Sequence, residues 1–116
     1  MLSRINRLKK RKEFNYVYKK GEVIHAPNFI IHFVKTYKPY IQIGISVSKQ
    51  VGNSVVRSRV KRIFSEACRT NLDQFAIRNY VITPRQSAKD KSSVEIEKEI
   101  LSVLKKNGLL RGEKNV

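Results

Sequence analysis

The chain has 116 residues, 25 Lys+Arg against 9 Asp+Glu, and a formal net charge of +16. Hydrophobic residues make up 41%, enough for one compact core and too many for wholesale disorder. No run of about 18 apolar residues is present, the basic N-terminus lacks the apolar stretch of a secretory signal, and the lone Cys68 excludes an internal disulfide and a multi-cysteine zinc site.

Residues 1–7 read as a basic, mobile arm. Residues 8–20 suit a short helix in which Phe14, Val17 and Tyr18 share one face at i, i+3 and i+4, with Gly21 as a stop. Residues 22–26 form a short strand candidate, broken by Pro27-Asn28. In strand candidate 29–36, Phe29, Ile31 and Phe33 oppose Ile30, His32 and Val34. Residues 37–40 read as a hairpin connection into strand candidate 41–48. There Ile41, Ile43, Ile45 and Val47 alternate with Gln42, Gly44, Ser46 and Ser48. One face of that strand is core, and the small polar face leaves room for something to lie on it.

Residues 54–69 are the clearest helix. Val56, Val60, Ile63, Phe64 and Ala67 make one apolar stripe, with Asn53 or Ser54 as N-cap. A fourth strand over 79–83 ends at Pro84, followed by a polar loop over 85–92. The last helix spans 93–107, is capped by Gly108, and precedes a frayed tail over 109–116. The expected fold is a single small α+β domain in the order helix, three strands, helix, strand, helix, with a four-stranded, antiparallel-rich sheet packed by helices.

The charge is uneven. Residues 1–62 hold +13 of it and residues 63–116 only +3. Such an asymmetry within one domain points to a polyanionic partner. The densest ordered part runs from Lys49 through Asn53, Arg57, Ser58, Arg59, Lys61 and Arg62. A glycine turn at Gly52 leads into a helix N-terminus, whose free N–H groups and partial positive charge suit phosphate. Arg can fork two hydrogen bonds to a phosphate, and Lys adds a point charge. Upstream, Arg7, Lys9, Lys10, Arg11 and Lys12 form an auxiliary basic set.

The run from Ser48 to Arg69, with Gly52-Asn53-Ser54-Val55, Arg57, Arg59, Lys61-Arg62, Glu66-Ala67 and Arg69, resembles the signature stretch of the bacterial ribonuclease P protein component. Leu8-Lys9-Lys10, Phe14, Val17-Tyr18-Lys19, Gly21 and Ile43 to Lys49 resemble the same family upstream. Two positions depart from its pattern. Ser58 stands where the family usually has Asn, and Ser65 where it often has a basic residue.

The resemblance implies an RNA-binding subunit of a tRNA-processing endoribonuclease, partnered with a catalytic RNA and precursor tRNA. The RNA carries the hydrolysis with Mg2+, and the protein binds no cofactor strongly. It also implies a left-handed β-α-β crossover that exposes the basic helix, against the strong right-handed default. Phe14, Tyr18, His32 and Ser46 fall at leader-cleft positions. The residues agree: single strands need aromatic platforms beside a positive groove, and His32 is expected beside Gly44 and Ser46 on an open sheet face. Phe14 and Tyr18 equally suit helix-packing core, and His32 a surface strand histidine.

No catalytic residue on the protein suggests itself. Nothing visible activates a Cys68/His pair, and Glu95, Glu97 and Glu99 read as a solvated, dipole-compensating helix turn. The rival readings are weaker. A general or ribosomal RNA-binding protein shares the charge but not the 48–69 segment. A DNA-binding helix-turn-helix needs two helices joined by a short turn, whereas strands flank the basic helix. A membrane-surface role wants an apolar face free for lipid, which the 54–69 helix needs for its core. The expectation is a cytoplasmic protein without DNA or membrane partners.

Overall fold

The computed structural model describes residues 2–111. Three α-helices, α1 (Arg11–Lys20), α2 (Ser54–Thr70) and α3 (Ser93–Lys106), accompany four strands: β1 (Glu22–His25), β2 (Phe29–Val34), β3 (Gln42–Ile45) and β4 (Asn79–Pro84). The strands form one mixed sheet in the order β1-β2-β4-β3. β1 pairs with β2 and β2 with β4 antiparallel, whereas β3 and β4 are parallel neighbours joined through α2. The α+β class, the single domain, the four strands and the element order agree with expectation.

The neighbour of β3 does not. Residues 37–40 are not a hairpin connection, because β4 inserts between β2 and β3. Alternation reports which face a residue takes, not which strand lies beside it. The signal for a central β4 is its lack of alternation. Tyr80, Val81 and Ile82 are all buried, as suits a strand covered on both faces.

One sheet face carries the main core. Phe29, Ile31, Ile43, Tyr80 and Ile82 pack under α2 and α3, which contribute Val60, Phe64, Ile96, Ile100 and Leu104. Phe29 and Phe64 meet edge-on at 5.7 Å. The apolar stripe read from α2 therefore does face the core. The opposite face holds a smaller cluster of Leu8, Val17 and Val81, with Phe14 and Val34 against it.

The helix ends follow local chemistry. Asn53 caps α2, its Oδ1 accepting from Val56 N at 2.9 Å. Ser92 and Glu95 close a reciprocal capping box on α3. Gly108 takes φ 68° just past α3, the left-handed conformation that a glycine permits. Glu97 and Glu99 are not simply solvated. Glu97 accepts from Asn71 at 2.7 Å, and Glu99 accepts from both the backbone and side-chain nitrogens of Asn28. These carboxylates tie α3 to the end of α2 and to the β1–β2 turn.

Residues 2–10 differ from an arm followed by a helix. Leu2 and Leu8 are buried, Asn6 donates to Ile41 O at 2.7 Å, and Leu8 N donates to Ile43 O at 3.1 Å. The segment runs along the outer edge of β3, and α1 begins only at Arg11. At the other end, Ala76 N donates to Leu109 O and Arg111 N to Gln74 O, so residues 109–111 lie against the body. The rest of the expected tail, residues 112–116, and Met1 lie outside the described residues.

Candidate nucleic-acid interface

α1 crosses the sheet face opposite α2 and α3. Its i, i+3, i+4 face places Phe14 over Gly44, Val17 within the cluster on Val81, and Tyr18 against His32. The Tyr18 and His32 rings meet edge-on, with centroids 4.8 Å apart at 88°. Three of the four residues expected in a leader cleft thus sit under or on α1. Ser46, the fourth, continues β3 and donates its backbone N–H to Ile82 O at 3.0 Å.

Two expectations about this face need correction. His32 is not beside Gly44: Val81 lies between them, paired with His32 on one side and Gly44 on the other. Nor is the face open at Gly44, which is buried beneath the Phe14 ring and Leu8. The missing side chain on Gly44 admits Phe14. The uncovered strip lies one register step further along, where His25 is exposed and Ile30, Thr83 and Ser46 are half-buried.

A cleft of about 290 Å³ runs along the edge of β3. Its lining includes Phe14, Gly44, Arg7 and Lys9, together with Lys61 and Ser65 of α2. Basic groups distant in sequence therefore line one cleft together with an aromatic ring. Ser65 was noted only as a departure from the family pattern. Its buried place in the cleft wall, one turn from Lys61, was not legible from that.

The cations of α2 and of the turn leading into it fall into two kinds. Arg57 is half-buried, its Nε donating to Gly52 O at 3.2 Å, and Arg59 Nη2 donates to Lys89 O at 2.8 Å. Both guanidiniums are oriented with donors to spare. Lys49, Lys61 and Arg62 are exposed, with no acidic partner among the described residues. Arg69 is the exception: it bonds Glu66 at 2.8 Å, and that bond holds the Glu66 carboxyl down at about 2. Ser58 is exposed, and the Asn53 side-chain oxygen is engaged as the helix cap.

The first turn of α1 adds Arg11 and Lys12, with Lys9 and Lys10 just ahead of it, all exposed. Cations at the positive end of a helix are unfavourable. Glu13 offsets this in part by accepting from the backbone nitrogens of Lys9 and Lys10 at 3.1 and 3.0 Å. The Lys10 bond is the main cause holding the Glu13 carboxyl below its usual range.

Cys68 is fully buried, and burial pushes its thiol up to about 12, far from a reactive thiolate. Burial also lowers the pKa of His32, with the charge of His25 adding to the effect.

The sequence model of the family described as Ribonuclease P matches residues 2–108. The chain belongs to the ribonuclease P protein family. The ribonuclease P protein component of Clostridium botulinum strain 657 is 39% identical over 106 residues, covering 90% of this chain and 96% of its own. That of Alkaliphilus metalliredigens is 40% identical over 106 residues. The solved RNase P protein of Staphylococcus aureus superposes with a TM-score of 0.82 at 29% identity, covering 91% of this chain and 98% of that one. The RNase P protein of Thermotoga maritima gives 0.79 at 25% identity, covering 86% and 96%.

The chain is thus a protein subunit of ribonuclease P, the endoribonuclease of tRNA 5′ leader processing, and partners an RNA subunit. Among the described residues, no helix is long and apolar enough to cross a membrane.

Proposed function

We propose that this subunit docks on its RNA partner through the basic face of α2 and holds the single-stranded 5′ leader of precursor tRNA across α1 and the sheet. Lys49, Arg57, Ser58, Arg59, Lys61 and Arg62 meet the RNA subunit, and the free nitrogen of the Asn53 amide adds a donor. Arg7, Lys9, Lys10, Arg11 and Lys12 neutralise leader phosphates. Phe14 offers a ring edge, and Tyr18 and His32 a second aromatic station about one helical turn along. Ser46 and the strip beside it make the polar floor.

The observation that carries this reading is the cleft at β3. It brings Phe14 together with Arg7, Lys9 and Lys61 in one lining. Aromatic surface inside a cationic groove is the chemistry that single strands require. The same arrangement suggests a division of labour. With Cys68 buried and protonated, and Glu95, Glu97 and Glu99 engaged in capping and tethering, hydrolysis falls to the RNA subunit and the Mg2+ ions on it. The protein binds no cofactor of its own and works in the cytoplasm.

Reconstitution tests this. Cleavage of precursor tRNA at low Mg2+ should require protein and RNA subunit together, with neither active alone. Full cleavage by the RNA without the protein at that Mg2+ concentration would remove the proposed role.

A further inference from the structure

Glu13 is the one acid within residues 1–21, in a stretch that also holds Arg7, Lys9, Lys10, Arg11 and Lys12. On charge alone it opposes a polyanionic partner. The residue is nonetheless half-buried and its carboxylate committed: Oε1 accepts from Lys9 N at 3.1 Å and from Lys10 N at 3.0 Å. Both nitrogens lie ahead of α1, outside helix and sheet, and this oxygen holds them. The N-cap of α1 is Lys10. An ammonium only donates, so it cannot do what Asn53 does for α2, and the cap comes from inside the helix instead. The bonding is reciprocal, because Lys10 O accepts from Glu13 N and Phe14 N at 2.9 and 3.2 Å.

The corner closed in this way rests on one residue of β3. Leu8 N donates to Ile43 O at 3.1 Å. A methyl group built on the next residue, Gly44, would lie 3.2 Å from Leu8 Cβ and overlap the Phe14 ring. Leu8 and Phe14 thus both sit on Gly44, and residues 9–13 loop between them. Lys9, which opens the loop, and Phe14, which follows it, line the same cleft with Lys61. Lys9 belongs to no regular element, so the Glu13 bonds decide where its backbone sits relative to the ring. Holding a loop beforehand in the arrangement a ligand needs removes an ordering cost that binding would otherwise carry.

We propose that Glu13 is a positioning residue of the leader site: through the backbone of Lys9 and Lys10 it fixes a cation beside the Phe14 ring, so that a leader nucleotide meets an aromatic surface and a phosphate partner together. This role rests on the leader reading above, and its consequence is opposite to that of charge alone. Removing the acid lowers, rather than raises, the affinity for precursor tRNA.

The full chain is prepared as Glu13→Ala and Glu13→Gln, each is reconstituted with the RNA subunit, and affinities for precursor and mature tRNA are compared. The two variants carry the same net charge, but Gln keeps an oxygen acceptor at the capping position. Glu13→Gln should retain the wild-type preference for the precursor, whereas in Glu13→Ala the preference should fall several-fold, toward one. In cleavage the same loss should raise KM for the precursor and leave kcat unchanged, as for an interaction that serves binding alone. Measurements well below each unfolding temperature keep folding out of the comparison, because a weakened but folded protein retains the wild-type ratio. A ratio at or above wild type in Glu13→Ala, an equal loss in Glu13→Gln, or a fall in kcat with KM unchanged overturns the role. Phe14→Ala, measured alongside, tells this failure from that of the leader reading. A preference lost in Phe14→Ala but kept in Glu13→Ala removes only the positioning role, and a preference kept in both removes the leader reading as well.

Discussion

Phe14 lies on Gly44: a methyl group built on that glycine would overlap Cζ and Cε2 of the ring. The helix that carries the aromatic residues and the strand beneath them are therefore matched at one atom. The overlapping atoms are the far end of a side chain, so the ring rather than the backbone gives way. Gly44→Ala should fold with a loss of about 1–3 kcal/mol, as for overpacking, and should lose discrimination between precursor and mature tRNA. Thermal unfolding and tRNA affinity of the same sample check both halves. Gly21→Ala behaves differently, because its methyl would meet the backbone oxygens of Phe33 and Val17. It should be the more destabilising of the two.

The cap at Asn53 separates stability from binding. Its Oδ1 bond to Val56 N is the one side-chain cap of α2. Asn53→Ala should lower stability by about 1 kcal/mol and Asn53→Asp by much less. Urea unfolding measures this directly. If the free amide nitrogen contacts RNA, Asn53→Asp keeps the cap yet binds RNA more weakly.

Among the α2 cations, Arg57 is half-buried and bonded to Gly52 O. Its loss would mix folding with binding. Lys61→Ala and Arg62→Ala are cleaner, since both side chains are exposed and without acidic partners among the described residues. Each should leave the unfolding temperature unchanged and reduce the salt slope of RNA binding by about 0.7–0.9. Slopes identical to wild type in both would take this face of α2 out of the interface.

His32 supplies a pH dependence of known sign. Burial, then His25, lowers its pKa in the fold from the ordinary 6.5. The unfolded chain therefore takes up the proton first as pH falls, so stability declines below about pH 6.5 and flattens once the folded form protonates too. Acidification from about pH 7.5 to 5.5 should destabilise the wild type more than His32→Gln. Equal losses in the two, followed by urea unfolding, would mean that His32 is not the titrating group.

Much of this was legible in the sequence where local chemistry decides. The apolar stripe of α2, the Asn53 cap and the grouping of Phe14, Val17 and Tyr18 all follow from spacing within one helix. What spacing does not contain is which strands become neighbours. Alternation in 41–48 gave the core face of β3 correctly, but reading 37–40 as a hairpin connection placed it beside β2, and His32 beside Gly44. The insertion of β4 moved Val81 between them. The open face was likewise inferred from small residues without the ring that fills the gap. Gly44 is small because Phe14 needs the space, and that relation links positions 30 residues apart in sequence. The cleft joining Arg7 and Lys9 to Lys61 depends on the N-terminal segment lying along β3, which composition alone represented as an arm.

The central claim is that α1 and the sheet hold the leader. The most direct measurement is the ratio of affinities of the reconstituted holoenzyme for precursor tRNA and mature tRNA, in wild type and Phe14→Ala. The account predicts a several-fold preference for the precursor in wild type, falling toward one in Phe14→Ala. Equal affinities in wild type, or a preference that Phe14→Ala leaves intact, would contradict it.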